Sequence, residues 1–365
     1  MAMECRSELS FALPVEPPSL GGRRCAASDV FSSHLWCRER KLVVPACAAQ
    51  LVTGVKFVSR ERELVCVTSG NSYFGAHLIR KLLVRGYMVR ATIQNQVNFE
   101  EMKELLREEE MKQLESVVVA RMTDLDSLCE AFRGCHAVFH TSSFIDPHGI
   151  SGYTERMAFL ETEAAGNVIE ACSKAAYARR CILTSSLLAS IWKGNNHEHD
   201  LDESSWTDED FCIENKLWFA LAKTRAEKVA WRKAMETKVK LVTVCPALVM
   251  APSFPHADTE SSLPYLKGGQ IMLRQGVLAT EDVDKAAEAH VYVYEEMDYG
   301  ACGRYLCFGR TITTPEEAVL LENRLKMQQG LLSAYESDEI PARLCKSKLT
   351  RLLFRTARRL SCKQR

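Results

Sequence analysis

The sequence predicts an α/β fold in which a parallel sheet is covered by helices on both faces. Six short apolar runs are typical of buried parallel strands, and stretches of helical periodicity separate most of them. Right-handed crossovers between such strands produce a doubly wound sheet. The runs are residues 64–68, 88–93, 117–120, 137–140, 181–185 and 241–244.

Composition narrows the range of partners. The 365 residues, 47% of them hydrophobic, suffice for one large α/β domain or two smaller ones. Because 47 basic residues balance 47 acidic ones, no overall field favours nucleic acid or an anionic membrane. No apolar run reaches the length of a membrane span, and the first residues lack the layout of a secretory signal. We therefore expect a cytoplasmic protein whose partners are small molecules, with protein partners also open.

The chain divides into four predicted parts. Residues 1–62 contain five Pro and Gly residues between positions 14 and 22 and no sustained periodicity, so we expect an unstructured leader. A plastid transit peptide is the alternative, although Glu4, Glu8 and Glu16 come early for one. Residues 63–250 form the main domain, and residues 251–342, with helices near 283–296 and 315–327, form a smaller substrate-side lobe. Residues 343–365 form a basic helix or tail.

The basic C-terminus and the cysteines each allow two interpretations. Residues 343–365 hold nine Lys and Arg, no acid, and leucines at roughly helical spacing, which fits a helix packed on the body or one that touches a membrane or partner. Fifteen cysteines without a C-x-x-C pair indicate reduced, buried thiols. The cluster at residues 197–200 (HEHD) fits a solvated loop better than a metal site, so no metal is predicted.

The first predicted strand runs into a loop that resembles a phosphate-binding turn. A dinucleotide fold needs glycines at positions 69, 72 and 75, so that the backbone can approach a pyrophosphate at a helix N-terminus. Only Gly75 is present, and Ser69 and Ser72 each add a Cβ, which their hydroxyls partly offset by hydrogen bonding. The residues predicted to hold the cofactor here are Ser69, Gly70, Ser72, Tyr73, Phe74 and Gly75.

Six segments carry a specific resemblance. VCVTSGNSYFG, VRATI, GCHAVFHTSSF, RCILTSSLLAS, NKLWFALAKTRAEKVAW and VTVCPALVMAP occur in the order and spacing of the extended short-chain dehydrogenases/reductases. Over residues 64–327 the chain is similar to their plant cinnamoyl-CoA reductase and dihydroflavonol reductase group. It is most similar to the cinnamoyl-CoA reductase-like proteins of the rice lesion-suppressor type, which are linked to disease resistance. The resemblance implies an NAD(P)-binding Rossmann fold.

The resemblance also implies roles for single residues. Ser186 falls at the family's catalytic serine, which hydrogen-bonds the substrate carbonyl oxygen as charge develops. Lys223 matches the lysine that holds the nicotinamide ribose and lowers the pKa of a tyrosine four residues earlier, on the same helix face. Phe219 occupies that tyrosine's position, so the proton-donating hydroxyl is missing. Further cofactor contacts are implied for Thr141, Ser142, Pro246 and Val249.

Other positions depart from the family pattern. Gln94 replaces the arginine that meets the 2′-phosphate of NADP(H), and Arg121 with Met122 replaces an Asp-Leu pair beside the adenine. The expected cofactor remains NADP(H) in preference to NAD(H). The NWYCYGK signature is kept only by Asn215, Trp218 and Lys223, so turnover of hydroxycinnamoyl thioesters is not implied.

Two functions follow as expectations. The first is an NAD(P)H-dependent oxidoreductase of a phenylpropanoid-like carbonyl or CH–OH group, with an aromatic or CoA-thioester substrate, weakened by Phe219. The second is a non-catalytic dinucleotide-binding or scaffold protein in plant defence. Each residue also has an alternative role. Ser186 can cap backbone groups at a strand end, Lys223 can be a solvated lysine, and Phe219 can belong to the core.

Overall fold

The computed structural model describes residues 63–141, 153–193, 200–251, 264–327, 329–333 and 342–362. The predicted leader, residues 1–62, lies outside the described residues. The strands of the described structure are β1 (Leu64–Val67), β2 (Met88–Ile93), β3 (Ser116–Val119), β4 (Ala137–His140), β5 (Arg180–Thr184), β6 (Asp200–Leu201), β7 (Lys240–Pro246), β8 (Leu248–Met250), β9 (Ala279–Asp282), β10 (Gly303–Cys307), β11 (Arg310–Thr311) and β12 (Arg343–Leu344).

The central sheet is all-parallel and confirms the predicted Rossmann-type α/β fold. Its seven strands lie in the order β10-β7-β5-β4-β1-β2-β3, and every neighbouring pair is parallel. The predicted six strands are all present. The seventh, β10, escaped prediction because its sequence, GRYLC, is interrupted by Arg304. Residues beyond position 250 therefore complete the main sheet.

Helices cover both faces of this sheet. They are α1 (Tyr73–Val84), α2 (Val97–Leu105), α3 (Glu108–Gln113), α4 (Leu125–Phe132), α5 (Glu155–Lys174), α6 (Leu188–Ile191), α7 (Glu209–Glu214), α8 (Trp218–Thr237), α9 (Gly269–Arg274), α10 (Val283–Glu296), α11 (Pro315–Arg324) and α12 (Ser347–Cys362). Side chains alternate along β1, so that Val65 and Val67 face α1, α10 and α12, whereas Cys66 faces α4, α5 and α8. Both faces are buried against helices, which suits short apolar strands.

Small residues allow α5 and α8 to pack closely against each other. Ala164 and Ala165 of α5 share a buried cluster with Ala226 and Ala230 of α8. A Cβ at Gly166 of α5 would lie 3.4 Å from side-chain atoms of Val229 and Lys233. This close approach places side chains of the first turns of α5 and α8 within contact distance.

A second, smaller layer lies beyond the carboxyl ends of β5 and β7. The sheet β11-β9-β8 and the pair β12-β6 belong to it. Its own apolar cluster contains Trp192, Leu248, Tyr265, Met272 and Phe308 among others. This layer draws on residues before position 250, such as Trp192 and Leu248, as well as on later ones, so the predicted boundary of a substrate-side lobe at residue 251 stays a prediction.

The basic C-terminal segment is a helix packed on the body. Leu349 and Leu352 of α12 are buried in the same cluster as α1 and α10. Lys348 Nζ donates to the backbone oxygens of Cys302 (2.7 Å) and Arg304 (2.8 Å), and Arg359 pairs with Glu296. Of the two interpretations, packing on the body is the one that the structure supports.

The described cysteines are free thiols, and most of them are buried. Ten cysteines have described side chains, and seven of these are buried. Within the described part of the chain, no helix has both the length and the apolar character needed to cross a membrane.

A buried ion pair joins the elements around the predicted active site. Glu227 of α8 accepts hydrogen bonds from Arg304 Nε of β10 (2.8 Å), Ser185 Oγ after β5 (2.6 Å) and Thr243 Oγ1 of β7 (2.6 Å). The side chains of Glu227 and Arg304 are 0% and 6% exposed. Arg304 also donates to Ser190 Oγ at 2.9 Å and lies over the Trp206 ring.

We expect Glu227→Gln to destabilise the protein by about 3–5 kcal/mol, because Arg304 would keep its charge in a buried site without its carboxylate partner. Urea unfolding followed by circular dichroism measures this loss. The control is Glu100→Gln, which breaks the exposed Lys103–Glu100 pair (2.9 Å) and should cost under about 0.5 kcal/mol. Equal small losses for both variants would contradict the dependence of the fold on this pair.

Candidate active site

The predicted cofactor loop lies where the strand order of the central sheet reverses, between β1 and β4. Doubly wound sheets bind nucleotides in the crevice at this point. Thr68 joins the two strand ends, since its Oγ1 accepts from Thr141 N at 3.0 Å and lies 3.1 Å from His140 Nδ1. Thr141 Oγ1 in turn donates to Thr68 O at 2.5 Å. Thr141 therefore lies beside the loop, and its contact with a cofactor stays a prediction. Ser142 lies outside the described residues.

The turn itself has the geometry of a glycine-containing phosphate loop. Ser69 adopts a left-handed conformation with φ of +50°, which explains why glycine suits this position. A Cβ at Gly75 would lie 2.5 Å from Ser69 O, and one at Gly70 would lie 2.9 Å from Ala91 Cβ. The turn therefore requires Gly75 and holds Ser69 in a strained conformation.

Ser72 occupies the N-terminus of α1. Its Oγ accepts from Gly75 N at 3.0 Å, which makes it the N-cap of the helix. A helix N-terminus is also where a pyrophosphate would bind. The Ser72 hydroxyl thus satisfies one backbone donor that a phosphate oxygen would otherwise meet. The neighbouring rings of Tyr73 and Phe74 lie 4.7 and 4.9 Å from those of His77 and His290.

The remaining predicted cofactor residues differ in exposure. Gln94 and Arg121 are exposed, whereas Met122 is buried in the cluster between α4 and α5. Pro246 is buried, and its oxygen accepts from Leu187 N at 2.8 Å. Val249 is half-buried. Met122 is thus a core residue, whereas Arg121 is an exposed cation.

Ser186 is buried at the carboxyl end of β5, beside the Glu227 network. Its Oγ accepts from Leu188 N at 3.2 Å, so it caps a backbone amide two residues later, where α6 begins. This contact uses an oxygen lone pair and leaves the hydroxyl proton to donate. The capping role and the predicted role toward a substrate oxygen are therefore compatible.

Phe219 packs into an apolar cluster at the start of α8. Its ring contacts the Tyr153 ring edge-on, with centroids 5.0 Å apart and planes at 69°. Ala158 of α5 and Ala222 of α8 complete this contact. Lys223 Nζ lies 5.5 Å from the Phe219 ring centroid. Phe219 and Lys223 therefore share one helix face, as predicted.

Lys223 is buried rather than solvated, and it is ion-paired. Its Nζ lies 2.5 Å from Glu161 Oε1 of α5, with side-chain exposures of 8% and 5%. The Tyr153 hydroxyl donates to the other carboxylate oxygen of Glu161. Tyr153 and Glu161 were not predicted as site residues. The available signal was the spacing of Ala158, Glu161 and Ala165, which puts a carboxylate on the apolar face of α5.

His140 lies near this charged group and is neutral. Burial, followed by the positive charge of Lys223, lowers the pKa of His140 to about 4. Burial likewise lowers the pKa of His290 to about 4; its Nε2 lies 2.9 Å from Thr184 Oγ1. No group of three or more His, Cys, Asp or Glu side chains with metal-binding geometry occurs in the described ranges. His197 and His199 lie outside them.

Comparison with known proteins gives a consistent family. Residues 66–260 match the model of the 3-beta hydroxysteroid dehydrogenase/isomerase family. Cinnamoyl-CoA reductase 1 of Petunia hybrida is 36% identical over 67% of this chain and 72% of its own length. Tetraketide alpha-pyrone reductase 1 of Arabidopsis thaliana is 32% identical over 80% and 86%.

Solved structures match at the level of the fold. Vestitone reductase from alfalfa superposes with a TM-score of 0.59 at 26% identity, over 79% of this chain and 91% of its own. The yeast methylglyoxal/isovaleraldehyde reductase Gre2, complexed with NADPH, gives a TM-score of 0.60 at 19% identity, over 80% and 92%.

We expect Gly75→Ala to weaken dinucleotide binding at least tenfold, because the added Cβ would force Ser69 O away and distort the turn. Calorimetric titration with NADPH measures the change. Gly166→Ala is the matched control, since its Cβ makes ordinary contacts inside α5. Unchanged affinity in Gly75→Ala would show that the turn does not hold the phosphates.

The two buried histidines predict how stability depends on pH. Each has a folded-state pKa of about 4, below its ordinary value of about 6.5, so the unfolded chain binds more protons between these values. The free energy of unfolding should therefore fall as pH decreases from about 6.5 to about 4. Urea unfolding at several pH values across this range gives the free energy of unfolding at each pH. The slope of that free energy against pH should be shallower in His140→Asn than in the wild type. His136→Asn, at an exposed position, should not alter the slope; an equal effect of both variants would refute the assignment.

Proposed function

This chain belongs to the 3-beta hydroxysteroid dehydrogenase/isomerase family, within the cinnamoyl-CoA reductase and dihydroflavonol reductase-like group, and we propose that it is an NAD(P)H-dependent oxidoreductase. The observation that carries this proposal is the turn between β1 and α1. Gly75 is sterically required there, and the turn opens at the reversal point of the sheet. That arrangement supports dinucleotide binding.

The proposed substrate is a phenylpropanoid-like carbonyl compound or the corresponding alcohol, including aromatic aldehydes and CoA thioesters. The names of relatives at 30–36% identity, such as cinnamoyl-CoA reductase and dihydroflavonol 4-reductase, support this class. Bound NAD(P)H would supply the hydride. Ser186 would donate a hydrogen bond to the carbonyl oxygen as negative charge develops, with its orientation fixed by Leu188 N and by the adjacent Glu227 network.

For the cofactor, we propose NADP(H) ahead of NAD(H). The NADPH bound to the Gre2 neighbour is in line with this choice. Gln94 gives the proposal less support, since a neutral side chain stands where a 2′-phosphate would prefer a cation. Glu101, which accepts from Asn71 Nδ2 at 2.8 Å, adds negative charge near the loop. Both nucleotides therefore belong in the first binding experiment.

The proposed rate is low because of Phe219. A positioned acid typically contributes about 10²- to 10⁴-fold, or roughly 3–5 kcal/mol of barrier. Orientation of substrate and cofactor alone still gives a large acceleration. Protonation of the product alkoxide would then come from water or through Ser186.

A specific observation favours a second candidate, a non-catalytic dinucleotide-binding or scaffold protein, which the resemblance would place in plant defence. Phe219 is seated in an apolar cluster, and Lys223 is occupied by Glu161. In this case the fold would bind a ligand or partner without turnover.

The deciding experiment titrates the full chain with NADPH and separately with NADH, then follows NADPH oxidation with a panel of hydroxycinnamoyl thioesters, aromatic aldehydes and dihydroflavonols. We expect micromolar NADPH binding and slow turnover. Ser186→Ala should lower kcat by about 10²-fold without changing NADPH affinity.

Thr314→Ala is the matched control, because Thr314 Oγ1 likewise accepts from a backbone amide near a helix start, that of Glu317 at 3.3 Å, and Thr314 is exposed. It should leave kcat unchanged. NADPH binding without turnover of any substrate would favour the scaffold candidate, and no binding of either nucleotide at millimolar concentration would reject both proposals.

A further inference from the structure

The lysine of the candidate site already has an opposite charge beside it. Lys223 Nζ and Glu161 Oε1 are 2.5 Å apart, and both side chains are more than nine-tenths buried. In a site of low polarity, an ion pair at this distance is little screened by solvent. The Glu161 carboxylate therefore reduces the positive field that Lys223 projects toward its neighbours. At His140, for example, Glu161 raises the pKa that Lys223 lowers.

The carboxylate is held in place on its second oxygen as well. The Tyr153 hydroxyl donates to Glu161 Oε2, and the Tyr153 ring is fixed edge-on against Phe219. The close packing of α5 on α8 leaves the Glu161 and Lys223 backbones little freedom to separate. Among the described residues, His140 also faces this cluster, and it is neutral above about pH 4.

We propose that Glu161 neutralises Lys223, so that Phe219 and Glu161 are both determinants of proton transfer at this site. The relevance of this neutralisation to catalysis rests on the proposed oxidoreductase function. Its test does not depend on that function. Glu161 is thus a positioning residue, which acts through Lys223 and need not touch a substrate.

The consequence concerns a hydroxyl restored at position 219. A phenol four residues before an unpaired ammonium would have its pKa lowered by about 1–3 units. With the Glu161 carboxylate equally near, repulsion of the phenolate offsets that attraction. Phe219→Tyr alone would thus return the hydroxyl without its acidity, and Phe219→Tyr/Glu161→Gln would return both.

The test measures the phenol directly, in protein without nucleotide. Full-length variants labelled with ¹³C at tyrosine Cζ are titrated by NMR, and each spectrum is compared with its Phe219 parent to identify the new resonance. In Phe219→Tyr the new phenol should titrate at or above its ordinary pKa of about 10. In Phe219→Tyr/Glu161→Gln the pKa should fall by about 1–3 units.

The chain offers a matched control on the same two helices. Glu170 of α5 pairs with Lys233 of α8 at 2.8 Å, and both are about one-third exposed. Phe219→Tyr/Glu170→Gln should titrate like Phe219→Tyr. Glu161→Ala replaces the glutamine variant if the latter does not fold.

A phenol that titrates well below 10 in Phe219→Tyr alone would overturn the proposal, and so would an unchanged pKa on removing the Glu161 carboxylate. The same variants then enter the NADPH oxidation assay, where the double variant should exceed Phe219→Tyr at least tenfold in kcat. If removing the Glu161 carboxylate leaves the phenol pKa unchanged, the proposed oxidoreductase function is not affected. Absence of nucleotide binding would leave the titration result standing.

Discussion

The ion pair between Glu227 and Arg304 is the constraint on which the candidate site depends. One carboxylate at the middle of α8 receives hydrogen bonds from β5, β7 and β10, while the guanidinium extends to the loop around Trp206. Ser185, one of its partners, immediately precedes Ser186. The position of the candidate catalytic serine relative to α8 is thus set by a charge in the interior. Buried charges of this kind stabilise only while their partners remain.

The seam between α5 and α8 carries the second set of charges, and there the same physics has a different result. Alanines and a glycine bring the helices close enough for Glu161 to meet Lys223. In the interior network the charges hold elements together, whereas at this seam, by our proposal, Glu161 offsets the charge of Lys223. Two features of the proposed site therefore bear on proton transfer. One is the apolar ring of Phe219, and the other is a carboxylate contributed by a different helix.

Much of the fold was predictable, since short apolar runs and helical spacing are local signals. The α10 range, Val283–Glu296, matches its predicted range. Strand β10 was missed because Arg304 interrupts its apolar run, and its partner Glu227 lies far away in sequence. The same limit applies to the site. Ser69, Gly75, Phe219 and Lys223 could be identified from spacing within a segment. Tyr153 and Glu161 join the site through a helix–helix contact. The carboxylate on the apolar face of α5 was a local signal, but it does not identify Lys223 as the partner. The roles of Tyr153 and Glu161, like those of Ser186 and the cofactor residues, remain predictions.

The small pairing of β12 with β6 has a consequence for how the chain reaches its native state. Arg343 and Leu344 align with Asp200 and Leu201, and the following helix covers the outer strand of the central sheet through Lys348 and the core through Leu352. Contacts between distant parts of a chain form slowly because loop closure must come first. Until the helix that carries Lys348 has docked, the edge of β10 lacks the contacts that Lys348 makes with it. An uncovered edge strand is a site where other chains can pair. In the folded protein, Lys348 occupies two backbone oxygens at or next to this strand, so fewer acceptors are open to another chain.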